Sequence, residues 1–407
     1  MRILHIDTGM GWRGGQQQVL WLMEALRARG FEQLLLAPAN SPLACRVRKI
    51  GLPLAELASP AMSLANLQTV RAKRASFDII HAHDSHAHSL AALAAIGSAG
   101  PHRPLVVSRR VAFPVTALGR LKYRKADAYI AVSDFVRHRL LEAHVPDRKI
   151  RIVFDGVPAG VPAPSAESSE IPDTRAEFRA RHGVDDQTIV LGTLTSLAPE
   201  KLLEAELDLL AELPSSVHFW MAIPSTERTE SSEGTERTEN TERTESTLLE
   251  RARSRGLEGR LRIMRMGEDA GPFIASLDIF IYLSKLEGLG SAILLAMAHG
   301  LPVLANRVGG IPEIVRHQET GLLADPVPGP ELIQSARQLI DSPELRHRLG
   351  AAAREFVLAH ATCDRMAAQT VAVYEELLQG KFASEPRAPV PSGAEGSASG
   401  QSQPSRP

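Results

Sequence analysis

The sequence predicts an α/β protein made of two doubly wound parallel-sheet units with a cleft between them. Three observations carry that prediction. Short apolar runs alternate with longer amphipathic stretches along most of the 407 residues, the pattern of a parallel sheet covered by helices on both faces. The alternation breaks off in a stretch rich in Pro, Ser, Ala and Glu, Pro158 to Asp173, and then starts afresh. Each half is long enough to close a core of its own.

In the first half, Ile3 to Ile6 reads as a buried strand and Gln16 to Arg29 as a helix that Gly30 ends. Leu34 to Ala37, Asp78 to His83, Leu105 to Val107 and Ala128 to Val132 follow as strands. Ser133 and Asp134 stand where a helix N-cap belongs, and Lys149 to Phe154 closes the half. In the second half the strands are Thr188 to Leu194, Val217 to Ile223, Leu261 to Met264, Asp278 to Leu283, Pro302 to Ala305 and Gly321 to Ala324. Pro199 to Leu213 and the intervening stretches read as helices. The units are therefore drawn at 1–160 and 176–355, joined by a linker at 161–175, with a C-terminal helix at 356–380 returning to the first unit. The tail 383–407 is rich in Pro, Ser and Gly and is expected to be disordered. Thr226 to Glu230 recurs at Thr235 to Glu239 and Thr241 to Glu245, so 225–247 reads as a low-complexity surface insertion.

Bulk properties narrow the function classes. The formal charge is -1 and the pI about 6.9, which argues against nucleic acid as a partner. Cys45 and Cys363 are far apart, so neither a disulfide nor a zinc cluster is expected, and a reducing, cytoplasmic setting fits. No apolar run reaches the ~18 residues of a bilayer span. The N-terminus meets Asp7 and glycines too early to resemble a signal peptide.

Gly9-Met10-Gly11-Trp12-Arg13-Gly14 follows a strand and opens a helix, the setting in which glycines and free helix amides receive an anion. A dinucleotide site would also need a carboxylate after the second strand, and Leu36-Ala37-Pro38-Ala39-Asn40 has none. Gly14 and Gly15 are thus read as letting the backbone approach a sugar or diphosphate, against a plain tight turn. His81, His83, His86 and His88 invite a metal reading, but only Asp84 lies nearby to complete a set, and no metal is expected. His83, at the end of its strand, is placed to hydrogen-bond a sugar hydroxyl or phosphate. His81 is read as a satisfied core histidine, His86 and His88 as helix-surface residues.

Further on, a strand ends in Ser284-Lys285-Leu286, and Glu287-Gly288-Leu289-Gly290-Ser291 leads into a helix. A carboxylate with glycines at such a junction suits polyol recognition, and the Gly290 and Ser291 amides suit hydroxyl or phosphate. Then come Ala296-Met297-Ala298-His299-Gly300-Leu301-Pro302-Val303 and Gly309-Gly310-Ile311-Pro312-Glu313.

These segments, in this order, resemble the GT-B glycosyltransferases and within them the retaining family 4 group (glycosyl transferases group 1). Gly14-Gly15, His81-Ala82-His83, Ala131-Val132-Ser133, Asp155-Gly156-Val157 and Leu197-Ala198-Pro199-Glu200-Lys201 match as well. The resemblance implies a metal-independent transferase without a cofactor, moving a sugar from a nucleotide-diphosphate sugar to a glycan or lipid-linked acceptor with retention. It implies work in cell-envelope polysaccharide or glycolipid synthesis, with peripheral membrane association. Lys201, Glu287 and His83 become the expected catalytic residues, Lys201 opposing the charge on the departing diphosphate. Gly14, Gly15, Gly288, Leu289, Gly290, Ser291 and Glu313 become the donor site. Arg109, Arg110 and Ser196 are candidate diphosphate or acceptor contacts, the two arginines reading equally as an ordinary surface pair. Ala112 to Lys125, with apolar residues beside Arg120, Lys122, Arg124 and Lys125, reads equally as a lipid-acceptor segment and as a helix packed on its own domain. In such proteins the nucleotide sits on the second unit and the acceptor on the first.

Three positions depart from the family pattern. Ser196 stands where an arginine is usual, Leu295 where a second carboxylate binds ribose, and Met221-Ala222-Ile223-Pro224 where a glycine-rich turn is usual. Ser196 and Leu295 favour a second reading, a non-catalytic protein of the same fold, and the shared two-unit scaffold leaves a nucleotide-sugar epimerase as a third, against which Gly309-Gly310-Ile311-Pro312-Glu313 counts.

Overall fold

The computed structural model describes residues 1–58, 61–97, 101–113, 115, 120–160, 175–224, 232–267 and 269–382. Among the described residues, thirteen strands form two wholly parallel sheets. The first holds β1 (Arg2–Ile6), β2 (Glu32–Pro38), β3 (Leu54–Leu57), β4 (Ile79–Ala82), β5 (Leu105–Arg109), β6 (Ala128–Ala131) and β7 (Ile150–Ile152), in the order β3-β2-β1-β4-β5-β6-β7. The second holds β8 (Val190–Leu194), β9 (His218–Pro224), β10 (Leu261–Met266), β11 (Ile279–Tyr282), β12 (Val303–Ala305) and β13 (Leu322–Leu323), in the order β10-β9-β8-β11-β12-β13. These are two Rossmann-like α/β units of the GT-B type.

The central strands are apolar throughout because helices cover both faces of a parallel sheet. Ile3, Leu4 and Ile6 of β1 are fully buried, as are Ile279, Phe280 and Ile281 of β11. The edge strand β3 carries no clear apolar signal: three of its four residues keep some exposure, and it includes Glu56. Sequence patterning therefore does not find it, since an edge strand buries too little for period or run length to show.

The helix Cys363–Leu378 packs on the first unit beside the helix Gly14–Ala28. Met366, Val373 and Tyr374 join Ile3, Leu22, Leu26 and Val106 in one apolar cluster. The helix Pro343–His360 stays with the second unit, against the helix Ser291–Ala298. A larger cluster runs through both units, with Val132, Phe154 and Val157 from the first and Leu289, Ile293 and Ile311 from the second.

The linker, except for its last residue 175, and the tail 383–407 lie outside the described residues, as do 225–231 of the charged insertion. The rest of the insertion is not an appended loop. Ser232–Ser254 is one helix, seated by Leu248 and Ala252, which are buried in the core of the second unit. Glu and Arg are good helix formers, so a polar repeat propagates a helix once its C-terminal turns supply an apolar face.

Candidate active site at the facing edges of the two sheets

Each sheet reverses its strand order at one place, between β1 and β4 in the first and between β8 and β11 in the second. Loops leaving the carboxyl ends of such strands diverge and leave a crevice. The glycine loop follows β1, His83 follows β4, the Thr195–Lys201 stretch follows β8, and Ser284 to Ser291 follow β11. The two edges touch. The Ser133 hydroxyl donates to the Gly288 carbonyl at 2.6 Å, and the Ser291 hydroxyl donates to Asp155 Oδ2 at 2.9 Å.

Lys201 and Glu287, 86 positions apart, meet in the second unit. Lys201 pairs with Ser284 as an isolated bridge, and the Lys285 amide donates to the Glu200 carbonyl at 2.7 Å, so the two loops are stitched together. Lys201 Nζ donates to Glu287 Oε2 at 2.7 Å and to the Tyr282 hydroxyl at 2.7 Å. That hydroxyl donates to Glu287 Oε2 at 2.6 Å, and the ammonium lies 4.5 Å from the Tyr282 ring centroid. Burial pushes the Tyr282 hydroxyl well above its ordinary range, which keeps it a neutral donor. Glu206 lies behind this cluster, fully buried, its carboxyl held well above the usual range by desolvation against the counteracting charge of Lys201. The result is one cation and one carboxylate held by charge-assisted bonds, both largely but not fully withdrawn from water. Nothing in the local spacing announces Tyr282 or Glu206. Each reads as an ordinary member of a strand or helix until the loops are folded together.

The glycines and their neighbours divide by role. Gly14 faces the Ser291 side chain across the units, whereas Gly15 has open space around its Cα. Gly290 has φ +105°, a left-handed value that favours glycine, and begins the helix Ser291–Ala298 with no side-chain cap. Gly288 is pressed on the first unit: a Cβ there would stand 2.1 Å from the Arg110 carbonyl oxygen. Leu289 is buried in the core, so its side chain packs rather than faces the crevice. The Glu313 carboxylate reaches the first unit, accepting from the Asp134 amide at 2.8 Å and the Phe135 amide at 2.9 Å. There it caps the start of the helix Asp134–Glu142, where a negative charge is favoured.

The adjacent arginines part company. Arg109 is buried, donating to the Tyr123 hydroxyl and the Phe113 carbonyl. Arg110 Nε donates to Asp155 Oδ1 at 2.9 Å, while its Nη1 is buried with no hydrogen-bond partner. Asp155 thus joins Arg110 to Ser291. Ser196 is half-buried after β8, its carbonyl accepting from the Thr195 hydroxyl. Leu295 packs partly buried against the core.

His83 is buried beside two other histidines rather than one. His5 comes from β1, the strand paired with β4, so chain spacing does not reveal it. His5, His81 and His83 each bring a ring nitrogen within 4.8 Å of the others. Both nitrogens of His81 are engaged, with the Tyr374 hydroxyl at 2.6 Å and the Ser108 hydroxyl at 2.8 Å, which makes it the core histidine expected. Both nitrogens of His5 are engaged as well, with His83 and Gln33. Burial lowers the basicity of all three rings, His5 to about 4, so they are neutral near pH 7. His86 is exposed, as expected. His88 is not on the surface: it is buried against Tyr123 and Tyr129, with Nε2 at 3.1 Å from the Lys122 carbonyl. Its helix turns that face inward, a matter of helix phase that a short alanine-rich stretch leaves undetermined.

Fold and crevice together define a two-unit protein of the GT-B type. Residues 12–160 match the family model Glycosyltransferase Family 4, and residues 174–356 match Glycosyl transferases group 1. The chain belongs to the GT-B glycosyltransferases, in the family 4 group. It is 23% identical over 327 residues to N-acetyl-alpha-D-glucosaminyl L-malate synthase of Bacillus anthracis, covering 78% of this chain and 80% of that one. It is 27% identical to alpha-D-kanosaminyltransferase of Streptomyces kanamyceticus over 67% of each chain. Among solved structures it resembles Anabaena HepE in complex with UDP and glucose, with a TM-score of 0.78 and 20% identity over 92% of this chain and 100% of that one. Among the described residues, no helix is long and apolar enough to cross a membrane.

Proposed function

We propose that this glycosyltransferase moves its sugar from a nucleoside-diphosphate donor to a glycan or lipid-linked acceptor, with retention of anomeric configuration and without a metal or other cofactor. The observation that carries this reading is the Lys201–Glu287 pair, 2.7 Å apart at the switch point of the second sheet. Breaking the anomeric C–O bond leaves positive charge on the sugar and negative charge on the diphosphate. Lys201 answers the second, with the start of the helix Ser291–Ala298 beside it, so fixed protein charge supplies what a cation would otherwise supply. Glu287, released from Lys201 as the diphosphate enters, accepts from sugar hydroxyls. Arg110 and the open Gly15 belong to the side contributed by the first unit, where the acceptor is placed, and His83 at the end of β4 is the contact to a hydroxyl of the donor sugar held between the units. The relatives include a GDP-mannose-dependent alpha-(1-6)-phosphatidylinositol monomannoside mannosyltransferase, whose name gives a glycolipid substrate, and this supports envelope glycolipid synthesis as the setting.

Thermal shifts with UDP, GDP, ADP and NAD, on wild type and Lys201→Ala, test the donor side. A nucleotide at about a hundred times its dissociation constant adds roughly 2.7 kcal/mol, which moves the midpoint by roughly 2–4 °C. A shift with one nucleoside diphosphate, reduced in Lys201→Ala and unaffected by EDTA, is the expected result. A non-catalytic protein of this fold is the second reading, favoured by the apolar Leu295 at the position where ribose is bound in the family. It would be established by the absence of any nucleotide shift. Proton NMR of the product's anomeric signal separates retention from inversion.

A further inference from the structure

The Gln33 side chain, buried between β2 and the helix Gly14–Ala28, has one orientation. Its Nε2 lies 3.0 Å from the Met23 carbonyl oxygen, and a carbonyl only accepts, so the amide nitrogen must face it. Gln33 Oε1 is then the atom 3.1 Å from His5 Nε2, and it accepts from an Nε2–H. With that tautomer, His5 Nδ1 is a bare lone pair. It lies 2.9 Å from His83 Nε2, which must therefore carry the hydrogen. The last atom of the series is His83 Nδ1. It has no hydrogen, is buried, and has no hydrogen-bond partner. A second hydrogen on either ring would set two donors against each other or against the low-dielectric interior.

We propose that Gln33 and His5 are positioning residues that lock His83 as a pure hydrogen-bond acceptor, so that Nδ1 selects a donor sugar presenting a hydroxyl and refuses one presenting a carboxylate or a fluorine there. The proposal rests on the reading of His83 as a donor-sugar contact. It adds the relay that sets the sign of the contact. A hydroxyl facing Nδ1 completes a chain of four hydrogen bonds running from the Met23 carbonyl to the sugar. A carboxylate would meet a buried lone pair, and a fluorine would bring no hydrogen.

Two measurements on the whole protein test this. Long-range proton–nitrogen NMR on nitrogen-15 histidine-labelled protein reads the tautomers directly. Both His5 and His83 should be in the Nε2–H form at neutral pH, and Gln33→Met should release His5 to a mixture. An Nδ1–H or doubly protonated His83 overturns the relay, whatever the protein binds. Affinities are then measured for UDP-glucose, GDP-mannose, UDP-glucuronate and the singly deoxyfluorinated analogues of the tighter-binding neutral donor. One fluorinated analogue should bind about tenfold more weakly than its parent to wild type, the loss of one hydrogen bond, and the difference should shrink to about twofold in Gln33→Met. If that analogue is the 6-fluoro one and the neutral donor is UDP-glucose, UDP-glucuronate should bind no better than it. Equal losses in wild type and Gln33→Met overturn the selection by Nδ1 while leaving the transferase reading intact. If the neutral donors fail to bind although His83 shows the Nε2–H form, the donor reading has failed and the selection with it. Should Gln33→Met not fold, His5→Asn breaks the same chain one step later.

Discussion

The hydroxyl of Ser291 donates to Asp155 Oδ2 at 2.9 Å, tying the first turn of a helix in one unit to the loop after the last strand of the other. The opposite oxygen of Asp155 accepts from Arg110 Nε at 2.9 Å, so one carboxylate links an arginine of the first unit to the donor-side helix of the second. Both charged side chains are nearly withdrawn from water, at 12% and 5% exposure. On the proposed donor placement at the start of that helix, donor entry and this link compete for the Ser291 hydroxyl.

Asp155→Ala should therefore be costly, because it leaves Arg110 buried and unpaired. About 3 kcal/mol of stability is expected to be lost, read as a lower midpoint of urea unfolding. Ser291→Ala removes only a neutral partner and should cost about 1 kcal/mol. Small-angle scattering should show a larger radius for Ser291→Ala without ligand if the link holds the units together, and an unchanged radius would show that it does not.

Lys201→Ala should lower kcat by about 10²–10³, the usual cost of removing one donor aimed at developing negative charge. Lys201→Arg should recover little, since a planar fork does not place one compact charge between Glu287 and Tyr282. Steady-state kinetics with the donor found by thermal shift would check both. A KM effect without a kcat effect would make Lys201 a binding residue only.

His88 provides a pH test away from the crevice. Burial, reinforced by Lys122, pushes its pKa to about 3 from an ordinary value of 6.5. Between those values the unfolded chain binds a proton that the folded chain does not. Stability attributable to this site is therefore full above about pH 6.5 and falls as pH drops, by about 1.4 kcal/mol per pH unit. The stability of wild type relative to His88→Gln should accordingly worsen by about 1 kcal/mol between pH 6.5 and 5.5 in denaturant titrations, the full slope being reached only below that interval. Working with the difference cancels buried acids such as Asp7, whose carboxyl is raised to about 7 and which act with the opposite sign.

The two cysteines should differ in reactivity. Cys45 is exposed, whereas burial pushes the Cys363 thiol up to about 12, so little thiolate forms. Iodoacetamide at pH 8 should modify Cys45 in the native protein and leave Cys363 until denaturant is added. Equal labelling, seen by mass spectrometry of peptides, would show that the helix Cys363–Leu378 opens from the first unit.

How much could be read in the chain follows from the range of each interaction. The two Rossmann-like units, the glycine loop after β1, His83 after β4 and Glu287 after β11 are written in local patterns, because strand burial and strand-to-helix turns are set by residues within a few positions. Lys201 is legible only through the order of motifs. Asp155 was visible in Asp155-Gly156-Val157, but no local feature tells that it links Arg110 to Ser291. Glu313 is read in the sequence only as a donor-site residue, and its place at the Asp134 and Phe135 amides, across the units, is visible only in the fold. The pair Arg109-Arg110 shows the limit most sharply. The residues are adjacent and chemically identical, yet strand alternation sends one into the core beside Tyr123 and the other to Asp155.

By itself the sequence determined the class of fold, the order of its elements and the loops that carry chemistry, since burial pattern and turn chemistry act over short stretches. Only the tertiary structure decided which side chains are joined: Lys201 with Glu287 and Tyr282, Gln33 with His5 and His83, Glu313 with the opposite unit. Those contacts join residues tens to hundreds of positions apart, and hydrogen bonds have meaning only at about 3 Å. That distance exists once two sheets have been wound, twisted and set edge to edge.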